Sequence, residues 1–552
     1  MDLQLHTTPS KDSSTATWPQ ALPFSQTTSN LSSNEVMSDV LGNTSTLCFN
    51  NHVRGESVWG SHGHNQADGG HPSSVRSPST PDDAMPRSLS TSQQIQYLDG
   101  DLFPAELIPS VVNDFLVYVY PIVQLVHRPT FLRNFRDNKH AQDPNFFALV
   151  MALCAATVAH RPEKLVEYQN APTPLRMQSP LELVNYCYAR SVQWRSARYY
   201  DEVSHTKWTA AFMFYTSFLQ VGEVNKARMM EMEAILFARL LELHRISAYT
   251  GLNCIEVQLR KKAFGFMMHG YVHQELQNIR KERVAFIDCS TLHEIDLEEL
   301  LPAPQDDENI TENMYGPYDI TQPSLAAALR LRIELFLTAV TEITSKNRRG
   351  SNGAHCRCTR LIDPPSYVKH LYSRLHELKY KLDGAPWYLR QWAPRELGED
   401  VSRDKEFQIG LLRADIHTTH LWLQTCVLDH LEHLKPAPGA LSPPFPQEVL
   451  HLVACSQWEQ REEVCRQMLQ VLSLTPHVYL EILGIYLIHK IRDVAGPLFS
   501  LLDENRENLT SPGSYDRVKQ YLKEYSEKLR HLDRSGKPNF ESLQTWVDTD
   551  RV

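Results

Sequence analysis

Apolar side chains recur every three or four positions along most of this chain, and no stretch of a strand's length alternates with period two. That periodicity restricts the fold to packed helices. Trp208, Ala211, Phe212, Tyr215, Phe218 and Leu219 share one predicted helix face, and Gly222 then breaks the chain. Ala227, Met230, Ala234, Phe237, Ala238 and Leu241 mark a second helix, and Leu259, Ala263, Phe266, Met267, Gly270 and Tyr271 a third. Helix, short break, helix is the grammar of antiparallel pairs, so the expected fold class is all-α, a large multi-helix domain.

Residues 1–97 have a different texture. They are rich in Ser, Thr, Pro, Asn and Gly, cannot bury enough apolar surface to offset ordering entropy, and read as a disordered tail. Residues 98–505 read as the helical domain, and 506–552 as a last charged helix with a short tail. Within the domain, the run near 146–159 is too short to span a bilayer and reads as a buried helix. Helical texture is also expected at 367–382, 407–434, 459–472 and 514–532. Two stretches read as exposed loops, the basic Ser345–Thr359 and the proline-rich Leu434–Gln447. The ten cysteines lack framework spacing, which fits reduced thiols, and the start of the sequence has no secretory pattern. A net charge of −10 argues against a chain-wide surface for polyanions.

Phe115 to Phe135 reads FLVYVYPIVQLVHRPTFLRNF: an apolar helix running into Pro121, a buried turn, and a second helix opening at Arg128-Pro129-Thr130. This order resembles the opening of the fungal-specific transcription factor domain, the regulatory (middle homology) region of the zinc-cluster regulators. Further blocks follow in the family's order. They are Glu256 to Phe264 (EVQLRKKAF), Phe286-Ile287-Asp288-Cys289, Leu301-Pro302 with Asp306-Asp307-Glu308, Leu378 to Asp383, Asp415 to Gln424, and Glu463 to Gln467. Together they cover about residues 100 to 500. Phe264-Gly265-Phe266-Met267-Met268 stands where the family usually carries Trp-aromatic pairs, and the usual Asp-Arg step is replaced near His273-Gln274-Glu275. The zinc cluster, two Zn²⁺ held by six thiolates, cannot form upstream here, because only Cys48 precedes Cys154.

The resemblance implies a nuclear regulator of transcription, controlling a fungal metabolic or secondary-metabolite gene cluster. DNA would be contacted directly or through a partner transcription factor, with co-regulator proteins and a small-molecule effector as further partners. No membrane partner and no cofactor are expected, zinc entering only with an upstream cluster. The competing readings are a co-regulator that does not bind DNA, an all-α enzyme of secondary metabolism, and a cytosolic scaffold. The effector pocket is expected among Trp208, Phe212, Tyr215, Phe264, Met267, Met268 and Tyr271, aromatic and methionine faces that are core residues first. Lys346, Arg348 and Arg349 are candidates for nuclear import or phosphate contact.

No catalytic or metal-binding set is expected. His355, Cys356 and Cys358 lack a fourth ligand nearby. His269 and His273 have the spacing of a zinc helix, but Gly270 stands where its Glu would be. His417 with His420, and His430 with His433, read as satisfied core or surface groups. Asp306-Asp307-Glu308 could suggest Mg²⁺, but Ile310 replaces a second-turn acid, so capping or solvent exposure is expected.

Overall fold

Several helices start where a short polar side chain meets a free backbone N–H. Asp143 accepts from the N–H of Asn145 at 2.9 Å with Pro144 at the first helical position, Ser179 accepts from Glu182 and Ser204 from Lys207. The computed structural model describes residues 102–277, 286–287, 295–340, 364–394, 396–398, 401–433, 457–499 and 514–532. The expected tail 1–97, the basic loop with Lys346, Arg348, Arg349, His355, Cys356 and Cys358, and the proline-rich stretch 434–447 lie outside them. The described residues hold fourteen α-helices and no strand, the all-α class that the periodicity predicts.

The first seven helices are α1 (Ile108–Asp114), α2 (Arg128–Arg136), α3 (Pro144–His160), α4 (Lys164–Gln169), α5 (Pro180–Gln193), α6 (His205–Gln220) and α7 (Val224–Leu240). Every residue of α3 from Phe146 to His160 is buried, because α5 and α6 pack on it and α1 closes another side. Between α1 and α2, Phe115–Val119 forms one π-helical turn, closed by the Tyr120 N–H on the Phe115 carbonyl at 2.8 Å. Gly222, at φ 84°, makes the turn from α6 to α7.

The remaining helices are α8 (Cys254–Gln277), α9 (Leu325–Val340), α10 (Pro364–Lys381), α11 (Arg403–His433), α12 (Gln457–Leu474), α13 (His477–Phe499) and α14 (Ser514–Leu532). The 31-residue α11 is the axis of this half, flanked by α9, α10, α12 and α13. Helix α8 reaches α6 and α7 on one side and α9 and α11 on the other. Its approach to α9 needs a glycine, since a Cβ at Gly265 would lie 2.3 Å from the Ile333 side chain. Helix α14 packs on α12 and α13, with the Tyr525 hydroxyl donating to the Cys465 carbonyl at 2.7 Å. The sequence reading did not single out α9 or α13, and both matter below.

The acidic run is structural. Asp306 caps α9, accepting from the Ala326 N–H and the Ser324 hydroxyl, both at 2.9 Å. Glu308 pairs with Arg128 at 2.7 Å. Asp307 is buried rather than solvated, contrary to expectation: it takes Lys262 at 2.7 Å, the Tyr120 hydroxyl at 2.5 Å and the Arg128 N–H at 2.9 Å. His127 adds a bond to the Asp307 carbonyl at 2.8 Å. Burial by itself would raise the Asp307 carboxyl, but the Lys262 ammonium and these hydrogen bonds hold it below the usual carboxylate range.

Removing one partner of such a pair strands a buried charge. Asp307→Asn is expected to lower unfolding free energy by about 3–5 kcal/mol, and Glu308→Gln at the half-exposed pair by about 0–1 kcal/mol. Urea titration of both variants checks the contrast.

Candidate functional site

Where α3, α6, α7, α8, α9, α11 and α13 converge, they enclose a cavity of about 520 Å³. That is within the range of roughly 300–1,000 Å³ typical of small-molecule sites. Helix α6 contributes Phe212, Tyr215, Thr216 and Leu219, which share one face at 3.6-residue spacing. Helix α8 contributes Phe266, Met267, His269, Gly270 and Tyr271. The rings of Phe212 and Phe266 meet at 5.5 Å between centroids and form an apolar wall.

Of the expected pocket residues, Phe212, Tyr215, Met267 and Tyr271 line this cavity, while Trp208, Phe264 and Met268 do not. Trp208 is on the same face of α6 but a turn too early. It is fully buried and stacks on Phe212 at 5.2 Å, backing the wall. Phe264 and Met268 fail by angle: they lie about 120° and about 160° around α8 from Gly270, the centre of the lining face. Both are core residues.

The polar part of the wall was not anticipated. Asp415 of α11 accepts from Arg332 of α9 at 2.6 Å and from Lys490 of α13 at 3.0 Å. Arg332 also donates to the Ile122 carbonyl at 3.0 Å and stacks over the Phe266 ring, while Lys490 donates to the Thr419 hydroxyl at 2.7 Å. All three charged side chains line the cavity and are at most 8% exposed. Burial would raise the Asp415 carboxyl, but Lys490 and then Arg332 outweigh it and hold it far below the usual range. Burial pulls Lys490 down, and Asp415 opposes that pull. Tyr486 hydrogen-bonds Tyr215 on the wall, and burial, followed by the Tyr215 neighbour, pushes its hydroxyl well up.

Helix α13 is broken inside this wall. Gly484 has φ 56° and ψ −136°, and the side chains on both sides of it, Leu483 and Ile485, line the cavity. The backbone groups freed by the break find new partners: the Ile485 N–H donates to Gln220 Oε1 at 3.0 Å, and His160 Nδ1 donates to the Ile482 carbonyl at 2.9 Å. A Cβ at Gly484 would lie 2.3 Å from Gln220 Oε1.

Of the histidine pairs, His417 and His420 are buried, while His269 and His430 are half-buried. His417 Nε2 donates to the Leu389 carbonyl at 2.9 Å and His420 Nε2 to that of Leu378 at 2.6 Å, so the two rings serve different chain segments. His269 packs on Phe336, while the side chains of His273 and His433 are outside the described residues. No metal-ligating cluster occurs among the described residues. Cys154, Cys187, Cys254, Cys426 and Cys465 are free thiols, and no described helix is long and apolar enough to cross a membrane.

Two outcomes follow from this geometry. Gly484→Ala is expected to destabilise the protein by about 1–3 kcal/mol, since it forces a β-carbon into a left-handed position and against Gln220. Thermal unfolding measures it. Burial lowers His417 to about 4, against about 6.5 for an unfolded histidine. The folded state therefore binds fewer protons between these values, so stability held above pH 6.5 is lost as pH falls toward 4. His417→Gln should reduce the loss of stability between pH 7 and pH 5, measured by urea unfolding, with the remaining slope coming from His205, His370 and His420, which burial also lowers. Compared with protein-family models, curated proteins and solved structures, the chain has no match.

Proposed function

We propose that this chain is a nuclear transcriptional regulator of a fungal metabolic or secondary-metabolite gene cluster, acting through its helical domain. One observation carries the reading: the blocks that resemble the fungal transcription factor domain are tied together by buried charge. Tyr120 and the Arg128 N–H of the first block and Lys262 of the second meet at the Asp307 carboxylate of the acidic block, and His127 bonds the backbone carbonyl of Asp307. Asp415, which opens a later block, anchors the charged wall of the cavity. Residues that would be interchangeable on a solvated surface are thus held by specific long-range partners, as buried polar groups in a folded core are.

In this reading the cavity is an effector site and the domain is the responsive part of the regulator. A ligand shifts a regulator only by binding one packing better than another. DNA is reached through a zinc cluster outside this sequence or through a partner protein, with co-regulators recruited by the helical surface.

The test is a reporter assay with the full chain fused to a heterologous DNA-binding domain, together with imaging of the tagged protein. Nuclear accumulation and altered reporter transcription are expected. Exclusion from the nucleus with an unmoved reporter would sink the proposal. The purified chain alone is expected to show no salt-dependent binding to duplex DNA in titrations at low and high salt.

A further inference from the structure

We propose that the cavity takes a small organic monoanion: one acidic group of the carboxylate kind on an apolar body, seated against Arg332 and Lys490. The charges around the space favour this sign. Arg228, Arg332 and Lys490 line it with three positive charges, and Asp415 and Glu231 with two negative ones. Among the described lining residues the formal sum, three minus two, leaves one positive charge, and the lining histidines contribute none of the opposite sign.

The excess sits where it is costly. Arg332 and Lys490 are 5% and 3% exposed and share the single carboxylate of Asp415. Two buried cations against one anion leave a charge that water reaches poorly, and such charge calls for a counter-ion. The donors to hold one are present. A guanidinium offers five N–H groups and an ammonium three. Among the described residues, Arg332 gives one bond to Asp415 and one to the Ile122 carbonyl, and Lys490 one to Asp415 and one to Thr419. The remaining donors suit a carboxylate, which takes charge-assisted bonds from both groups. Glu231 and Arg228 are both on the α7 wall of the cavity, three residues apart, so their opposite charges offset each other there. Beside the Arg332–Lys490 pole, where Arg332 stacks over Phe266, the Phe212 and Phe266 rings give apolar surface for the body of the ligand.

The proposal fills the cavity that the regulatory reading treats as an effector site, but binding is measured without any reporter. A protein that binds monoanions and leaves transcription unmoved fails only the regulatory reading.

The experiment compares two fluorescent probes of one skeleton on the full-length protein: 1-anilinonaphthalene-8-sulfonate, which is anionic, and the uncharged N-phenyl-1-naphthylamine. Calorimetry gives the stoichiometry. One site is expected, preferring the anionic probe by about tenfold or more, the scale of hydrogen bonds to a buried charge. Decanoate should displace the probe where decanol does not, with little dependence on salt, since buried charges are weakly screened. Lys490→Met, which keeps the Arg332–Asp415 pair, should abolish the preference, while Phe212→Ala weakens both probes alike. Equal affinity of the two probes for the wild-type protein, or displacement by decanol as readily as by decanoate, overturns the proposal whether or not Lys490→Met folds. Retention of the preference in a folded Lys490→Met protein also overturns it.

Discussion

The carboxylate of Asp415 holds this architecture around its cavity. It lies on the longest helix and accepts from a cation on α9 and another on α13, so three helices meet at one charge. Such an arrangement is rarely the most stable way to fill a core, because desolvating three charges costs much of what their attraction returns. What it provides is geometry: helices joined by short directional bonds cannot slide as an all-leucine interface can. The same contacts line the cavity, so the scaffold and the candidate site share their charged groups.

Asp307 plays the corresponding part at the other end of α8. Lys262 reaches it from the helix, while Tyr120 and the Arg128 N–H reach it from the segment after the π-helical turn. That turn has its own compensation, since Gln408 of α11 donates to the Leu116 carbonyl at 3.0 Å. Asp307 thus ties the early segment to α8, while Asp415 ties α9 and α13 to α11. The break at Gly484 is of a different kind. There a helix loses its own ladder and is repaired by Gln220 and His160 from α6 and α3.

Much of the helical framework was legible because burial writes a period into the chain. The faces of α6, α7 and α8 and the break at Gly222 follow from spacing, and α3 from an unbroken apolar run. Four of the pocket residues followed too, since Phe212, Tyr215, Met267 and Tyr271 are large apolar or aromatic groups on those faces. Phe264 and Met268 show the limit: on a helix buried nearly all round, hydrophobicity does not say which arc faces a cavity. Arg332 and Lys490 show another. Each shares a largely apolar helix with a second cation two residues away, Arg330 or Arg492, and its own partner is about 80 residues away in sequence, so spacing does not say which cation is buried.

By itself the sequence determined the helical class and the positions of most helices, because these depend on local periodicity and composition. Tertiary structure alone decided which acids were buried, which faces enclosed space and which charges were paired. Asp306, Asp307 and Glu308 are neighbours of the same charge, yet one caps a helix, one is sealed in the core and one is half in water. The difference comes from what packs against each, and no local rule contains that information.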